Sequence, residues 1–374
     1  VFLLSFGLSA AIDYYTPRSM ALGMGGLSFS YDFTALYNNP SLLASFNFSV
    51  TGLSYQNRYG DTLDMVKNLS DFLEVYHQKN EGDSFSDADL QPLKALSKNE
   101  SAIYGFEAKI PAMVLKTLAM GVASIHSATL MPTFNGEDVG ADNLNDLTFK
   151  SVGMKYTQYS LAYAMPLGKD FFFGISSHFM SGKVKIGQHR LSDPLFETGR
   201  ESKGYVERLA DESDRSFSKL SFTMGLTWKV GEILDVSLVS QNVGNPSIEV
   251  SDTGEAPLEL AQRYRASMAF RPAIDWGFYV DADLKKSKLY PGFEVERQPI
   301  SLGVEKGFFQ NTTFLRLGLN TDISKKYIIG EKSNLLLSMG VGIRVSAFVV
   351  DAGLILNKNG SINGLAIAGY YVVN

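Results

Sequence analysis

Ser176 and His178, two residues apart, are the nearest this chain comes to a nucleophile and its base. On a strand they share one face, as an acyl-transfer pair would require. Nothing nearby supplies the third, orienting group, and His77, His126 and His189 are scattered, with no partner at metal-ligand spacing. There is no cysteine for a thiolate site, a covalent nucleophile or a disulfide. The run Gly23-x-Gly25-Gly26 lacks the third glycine of a dinucleotide fingerprint, because position 28 is Ser28, and no Walker motif is present. The residue types therefore predict no catalytic centre, no metal and no cofactor. More chemistry lies in charges that share one strand parity: Arg263, Arg265, Arg271, Arg316 and Arg344 with Asp235, Asp275, Asp281, Asp283, Glu305 and Asp351. Buried charge must be paired or wet, so these residues predict ion pairs on an inward face.

The elements that carry them alternate strictly. In Lys219–Val230 every second residue (Leu220, Phe222, Met224, Leu226, Trp228, Val230) is large and apolar, and those between are small or polar. The pattern recurs in Asp275–Lys285 and in Leu335–Ser346. A strand points successive side chains to opposite faces, so each segment has one oily and one wet face. A series of such segments predicts an all-β fold, a transmembrane antiparallel β-barrel. Tyr104, Tyr159, Tyr163, Phe171, Phe173, Trp228, Trp276 and Tyr371 then read as interfacial aromatics on the lipid face.

Composition agrees. The chain has 374 residues and a net charge of −5, with no basic run of the kind nucleic acid requires. Mean hydropathy is near zero, yet no stretch approaches the ~20 apolar residues of a spanning helix. Val1–Leu8 followed by Ser9-Ala10-Ala11 reads as the remnant of a signal peptide over 1–11, ending at a small-residue cleavage site.

Candidate strands fall at 46–57, 101–111, 114–131, 147–166, 169–190, 215–230, 232–243, 261–272, 274–286, 295–307, 312–322, 333–345, 346–358 and 361–373, about 14 in all, an even number as bacterial barrels require. Connections alternate between short, as at Pro111–Met113 and Gly231-Glu232, and long, as at 58–100 and 191–214. Short periplasmic turns and long external loops make that rhythm, which places both termini in the periplasm of a bacterial outer-membrane protein. The 58–100 loop is helical in period: Leu63, Val66, Leu69, Leu73 and Tyr76 behind Asp61, then Leu90, Leu93 and Leu96 behind Asp89, with Pro92 in the first turn. Residues 12–45 are rich in glycine and turns and do not alternate; the barrel proper is 46–374.

Within 12–45, Pro17-Arg18-Ser19-Met20-Ala21-Leu22-Gly23-Met24-Gly25-Gly26 and then Ala35-Leu36-Tyr37-Asn38-Asn39-Pro40-Ser41-Leu42-Leu43-Ala44 resemble the N-terminal hatch of FadL-type long-chain fatty-acid transporters and PorV-like barrels. Leu238–Gly244, with its Gln241-Asn242, followed by Arg263-Tyr264-Arg265, and Leu315–Gly318 look like the PorV-like branch. The resemblance implies an N-terminal hatch, 12–45, plugging the lumen, with Gly23, Gly25, Gly26, Asn39 and Pro40 at the gate. Its glycines allow close backbone approach in a crowded lumen. The inward charges Arg263, Arg265, Arg316, Arg344, Asp281, Asp283, Glu305 and Asp351 would brace it. The implied function is passive uptake of a hydrophobic small molecule, such as a fatty acid, by a barrel surrounded by outer-membrane lipid. Leu63, Val66, Leu69, Leu73, Leu90, Leu93 and Leu96 are the expected capture surface. The alternative is a PorV-like barrel whose partners are secretion-machinery or surface proteins.

Overall fold

A computed structural model describes residues 16–373 apart from 30–31, 46–47, 60–68, 70, 77, 79–84, 99–102, 110, 135–138, 141–143, 145, 192–214, 249–257, 261, 291–292, 325–334, 357–359 and 361. The expected leader at 1–11 lies outside them.

Fourteen antiparallel strands form the wall: β1 (Phe48–Tyr59), β2 (in two stretches, Ile103–Lys109 and Ala112–Leu115), β3 (Leu118–Pro132), β4 (Thr148–Pro166), β5 (Phe171–Arg190), β6 (Arg215–Val230), β7 (Leu234–Gln241), β8 (Arg263–Ala273), β9 (Trp276–Asp283), β10 (Pro299–Phe308), β11 (Thr313–Asp322), β12 (Leu336–Val345), β13 (Phe348–Leu356) and β14 (Ile362–Val373). Each pairs with its sequence neighbour, and β14 pairs back onto β1, from Phe48↔Val373 to Arg58↔Gly364. The barrel is therefore closed and has no free edge.

The alternation has the expected physical cause. Leu220, Met224, Leu226 and Trp228 of β6 are exposed on the outer face, while Ser221, Thr223 and Thr227 are buried inside. The same split runs through β12, where Leu337, Met339, Val341 and Ile343 face outward. Aromatic residues gather where strands meet the short turns: Phe171 stacks on Trp228 with ring centroids 5.6 Å apart, and Trp276 on Phe278 at 5.8 Å. Tyr159 and Tyr163 are also exposed on the outer face.

Two boundaries depart from the sequence expectation. The first short turn lies at Lys116-Thr117, where Lys116 takes a positive φ of 51°, not at Pro111–Met113. Ala112–Leu115 instead completes β2, pairing with both β1 and β3. Pro111 marked a break within a strand rather than its end: it has no N–H for the ladder, but its carbonyl accepts from Val122 N–H at 3.0 Å, which keeps β2 attached to β3. On the other side the ladder lapses between Tyr55↔Lys109 and Thr51↔Ala112. The second departure is at 295–307. Phe293–Arg297 pairs with Ser287–Tyr290 as a separate loop hairpin, and the wall strand starts at Pro299.

In the first long loop, residues 71–76 are helical, and α3 (Asp87–Lys98) follows the two short hatch helices α1 (Pro17–Ala21) and α2 (Ala35–Asn38). The start of α3 is earlier than Asp89 suggested. Ser86 caps it: Asp89 N–H donates to Ser86 Oγ, and Asp89 Oδ2 accepts from Ser86 N–H at 2.8 Å. Pro92 thus falls beyond the first turn. Leu69, Phe72, Leu73, Leu90 and Leu93 form a buried core with Val139, Leu144, Leu147, Phe149 and Leu191.

Candidate functional site

The hatch occupies the lumen as a chain of short elements. Thr16 caps α1, its Oγ1 accepting from Ser19 N–H at 3.0 Å, and Pro17 supplies the first helical residue. Asp32 Oδ1 accepts from both Thr34 N–H (2.8 Å) and Thr34 Oγ1 (2.5 Å) ahead of α2. Asn39, extended at φ −148° and ψ 90° as its following proline requires, leads into a 3₁₀ helix, Pro40–Ser45.

Wall and hatch meet backbone to backbone. A Cβ added to Gly174 would overlap the Pro40-Ser41 backbone, one on Gly318 the Gly23 amide, and one on Gly353 the Pro17 carbonyl. Gly121, Gly225, Gly303 and Gly340 likewise face Tyr37, Asn39, Leu22 and Ala21. These strand glycines form the hatch's footprint on the inner wall.

Hydrogen bonds fix Gly23, Gly26, Leu27 and Asn39 against the wall. Gly23 N–H donates to Ser338 Oγ at 2.9 Å, and Gly23 O accepts from Asn320 Nδ2 at 3.2 Å. Gly26 and Leu27 N–H both donate to Asp281 Oδ2, at 2.5 and 3.2 Å. Asn39 Nδ2 donates to Leu27 O (2.5 Å) and Thr227 Oγ1 (3.2 Å).

The strongest tether is ionic. Arg18 Nε and Nη2 donate to Glu305 Oε2 and Oε1, at 2.9 and 2.7 Å. Arg316 Nε donates to Glu305 Oε2 and Nη1 to Asp351 Oδ1, both at 2.6 Å, and Tyr370 OH donates to Asp351 Oδ2 at 2.5 Å. A cavity of about 400 Å³ below this network, toward the short turns, is lined by Arg18, Glu305, Arg316, Tyr279, Arg344 and Tyr370 among others.

The lumen is two-sided. Strands β7–β14 present charges and hydroxyls to the hatch. Strands β2–β6 present Val114, Ile125, Val152, Met154, Met180, Val184 and Phe217, packed with Phe33, Leu36, Tyr37, Leu42 and Leu43 of the hatch in one apolar core. That core ends at the lapse in the β1–β2 ladder. There a groove of about 640 Å³ is lined by residues of both faces: Thr51, Ala112, Gly121 and Ser160 from within, and Met113, Met120, Tyr159, Leu161 and Phe179 from the lipid side.

No protein-family profile and no curated protein matches the sequence. Solved structures do. The chain aligns over 100% of its length with 99% of the CymD monoaromatic hydrocarbon channel, at TM-score 0.58 and 12% identity. It covers 97% of itself and 99% of the Ralstonia pickettii toluene transporter TbuX at 0.55 and 13%, and 95% and 97% for the Pseudomonas putida toluene transporter TodX at 0.52 and 12%. This chain shares the closed 14-strand barrel fold of these channels.

Within this barrel the inward charges divide. Arg263, Arg265, Asp281, Asp283, Glu305, Arg316 and Asp351 are all buried on the lumen side. Arg344 is not in the buried ladder: it sits at the short-turn mouth and donates to Ser346 O at 3.2 Å. Arg271 pairs with Asp235 near the same end, at 2.5 Å. Asp275 lies in the turn, where a hydrogen bond from the Lys306 ammonium holds its exposed carboxyl below the usual carboxylate range. Arg18 and Tyr279 were not read as partners from sequence. Arg18 has the motif position but no strand parity, and only the fold brings it to Glu305.

Ser176 and His178 do meet, with Oγ to Nε2 at 3.0 Å, but His178 Nδ1 faces Ser160 Oγ at 2.9 Å where an acyl-transfer site would hold a carboxylate. His178 also stacks on Tyr37 of the hatch, with centroids 6.0 Å apart. Gln241 and Asn242 are buried, Ser221 Oγ donating to Asn242 Oδ1 at 3.0 Å. Of the expected capture residues, Leu69, Leu73, Leu90 and Leu93 form the interior of the loop core instead of an open groove. Leu63 and Val66 lie outside the described residues, as does the Leu96 side chain.

Arg263 grips Asp283 through Nε and Nη2, at 2.9 and 3.0 Å, and Arg265 Nε lies 3.1 Å from the same carboxylate. Asp283→Ala is expected to cost about 3–5 kcal/mol by leaving buried guanidinium charge. Denaturant unfolding of the refolded barrel measures it; a loss below about 1 kcal/mol would mean the pair is solvated.

Proposed function

We propose that this barrel mediates passive uptake of small hydrophobic molecules across the bacterial outer membrane, with the long loops outside and both termini periplasmic. The observation that supports this best is the apolar side of the lumen, running from the loop end to a lapse in the wall. A molecule entering from outside follows β2–β6, passes Leu36 and Tyr37, and leaves sideways into the bilayer through the β1–β2 lapse. Val152, Met154, Met180, Val184 and Phe217 line it as an apolar surface, which suits a hydrophobic cargo. Monoaromatic hydrocarbons, the cargo in the names of the CymD, TbuX and TodX channels, satisfy that chemistry.

Uptake of radiolabelled toluene from dilute solution, by cells with an intact outer membrane and no other such channel, tests the reading. Expression of the full chain is expected to raise the initial rate several-fold over vector. Ala112→Trp, at the inner lip of the lapse, is expected to return it to background while the barrel still assembles. An unchanged rate with the wild-type chain sinks the proposal.

A further inference from the structure

The cavity beneath the ion network lies off the uptake route. That route follows β2–β6, whereas this space is walled by β8–β14 at the short-turn mouth. Its volume of about 400 Å³ has room for roughly a dozen waters at ~30 Å³ each, or for one small organic molecule. Among the described residues its charges pair off but for one. Glu305 holds Arg18 and Arg316, and Asp351 holds Arg316 and the Tyr370 hydroxyl. Asp235 takes Arg271, and Asp275 takes the Lys306 ammonium. Arg344 is the remainder.

Arg344 is the last inward residue of β12 and is half-buried. Its Nε donates to Ser346 O at 3.2 Å, and among the described residues Nη1 and Nη2 meet no acceptor. A guanidinium offers parallel N–H bonds that match the two oxygens of a carboxylate. With Nε engaged, the end-on pair Nη1 and Nη2 is the edge left for a ligand. One surplus positive charge calls for a monoanion, because a phosphate dianion would leave an unpaired charge of the other sign. The apolar part of the wall adjoins this edge. Arg344 pairs with Val349 across β12–β13, and Val349 with Tyr370 across β13–β14, so the three share one row of the inner face. Val372 packs with Val349 and Tyr370. Phe314 lies opposite Gly342, one inward step above Arg344. A molecule in the cavity thus meets a cation at the mouth, with an aromatic ring and two valines beside it.

We propose that this cavity binds a small organic carboxylate with an aromatic or short apolar body. The carboxylate sits end-on to Arg344, and the body lies against Phe314, Val349 and Val372. The charge selects the anion, and the apolar row gives a contact that an inorganic anion cannot use. The site stands on the wall opposite the apolar route and takes nothing from the uptake reading, so carboxylate binding and toluene uptake can fail separately.

The test is calorimetric titration of the purified full-length protein in detergent with benzoate and with benzamide, its uncharged analogue of the same shape, against protein-free micelles as the blank. Benzoate is expected to bind about tenfold tighter than benzamide, the worth of a charge-assisted pair. Arg344→Gln should bring benzoate down to the benzamide level. Phe314→Leu should weaken both probes several-fold and keep the preference. Equal affinity for the two probes, an unaffected Arg344→Gln, or displacement of benzoate by inorganic phosphate at equal concentration would overturn the proposal. So would a peptide whose terminal carboxylate binds through Arg344 more tightly than benzoate, since the site would then dock a polypeptide. If Arg344→Gln does not yield a heat-modifiable barrel, Arg344→Lys decides: it keeps the charge but loses the fork, so about a threefold loss is expected and no loss overturns the proposal.

Discussion

Gly318→Val should unseat the hatch while leaving the barrel closed. Gly318 lies on the inner face of β11, where a Cβ would overlap the Gly23 amide and stand 2.5 Å from the Leu22 carbonyl carbon and from Ser338 Oγ. Two of these three atoms are backbone, so no rotamer change relieves the contact. Overpacking usually costs about 1–3 kcal/mol, and here the cost falls on one interface, because the wall's own ladders, Gly318↔Gly303 and Gly318↔Ser338, do not need the hatch. The same shift would pull Gly23 off Ser338 and Asn320, its two polar contacts with the wall. The expected readout is a several-fold rise in leakage of a small sugar from liposomes, with heat-modifiable mobility retained. Gly369→Ala is the control: a Cβ there meets nothing within 4 Å, and the change should stay within about 0.5 kcal/mol. Leakage unchanged by Gly318→Val would mean that the hatch does not bear on this wall.

Why those glycines are there was only half legible in the sequence. Period-two alternation is local, so the strands, their inward and outward faces and the long–short rhythm of their connections could be read directly. Gly303, Gly318 and Gly340 sit at inward positions and in sequence look like neutral gaps in the pattern. Their reason is a segment about three hundred residues away, and no local signal reports it. Pro111 shows the opposite failure. Proline punctuates strands at turns far more often than it breaks one in mid-wall, so the lapse beside it, the feature on which the proposed exit depends, read as a turn. The helical period of the 58–100 loop was legible too, but period alone states that a face is apolar, not what covers it. Leu69, Leu73, Leu90 and Leu93 are covered by Val139, Leu144 and Phe149, which come from a different loop and the end of β4.

The lumen's two sides divide its work. On β7–β14 the hatch is held by directional bonds to Asp281, Glu305, Asn320 and Ser338. On β2–β6 Leu36, Leu42 and Leu43 rest on an apolar surface, and polar bonds come from β6, where Thr227 meets Asn39 and Ser41 and Lys229 meets Ser45. Apolar contacts tolerate sliding and directional bonds do not, so motion around Leu36, Leu42 and Leu43 can leave the far side anchored. The anchor should therefore control whether the hatch stays, and the apolar side what passes it.

Glu305→Ala removes the centre of that anchor. Its carboxylate receives Arg18 through two bonds, Arg316 through one, and Tyr279 OH at 3.2 Å. Loss of one partner from a buried ion network costs about 3–5 kcal/mol, largely because the surviving charges remain desolvated. Arg316 retains Asp351 at 2.6 Å. Arg18 keeps only neutral partners, Tyr279 OH at 3.3 Å, Phe29 O at 3.4 Å and the Phe29 ring at 5.5 Å. The penalty therefore concentrates on the hatch. Arg18→Ala should be milder, about 1–3 kcal/mol, because Glu305 is still held by Arg316. The double variant should leak no more than Glu305→Ala alone, since both changes cut the same contact. Leakage from liposomes, ranked Glu305→Ala above Arg18→Ala above wild type, is the expected order. If Arg18→Ala leaks most, Arg18 holds the hatch through contacts other than Glu305, and the ion pair is not the tether.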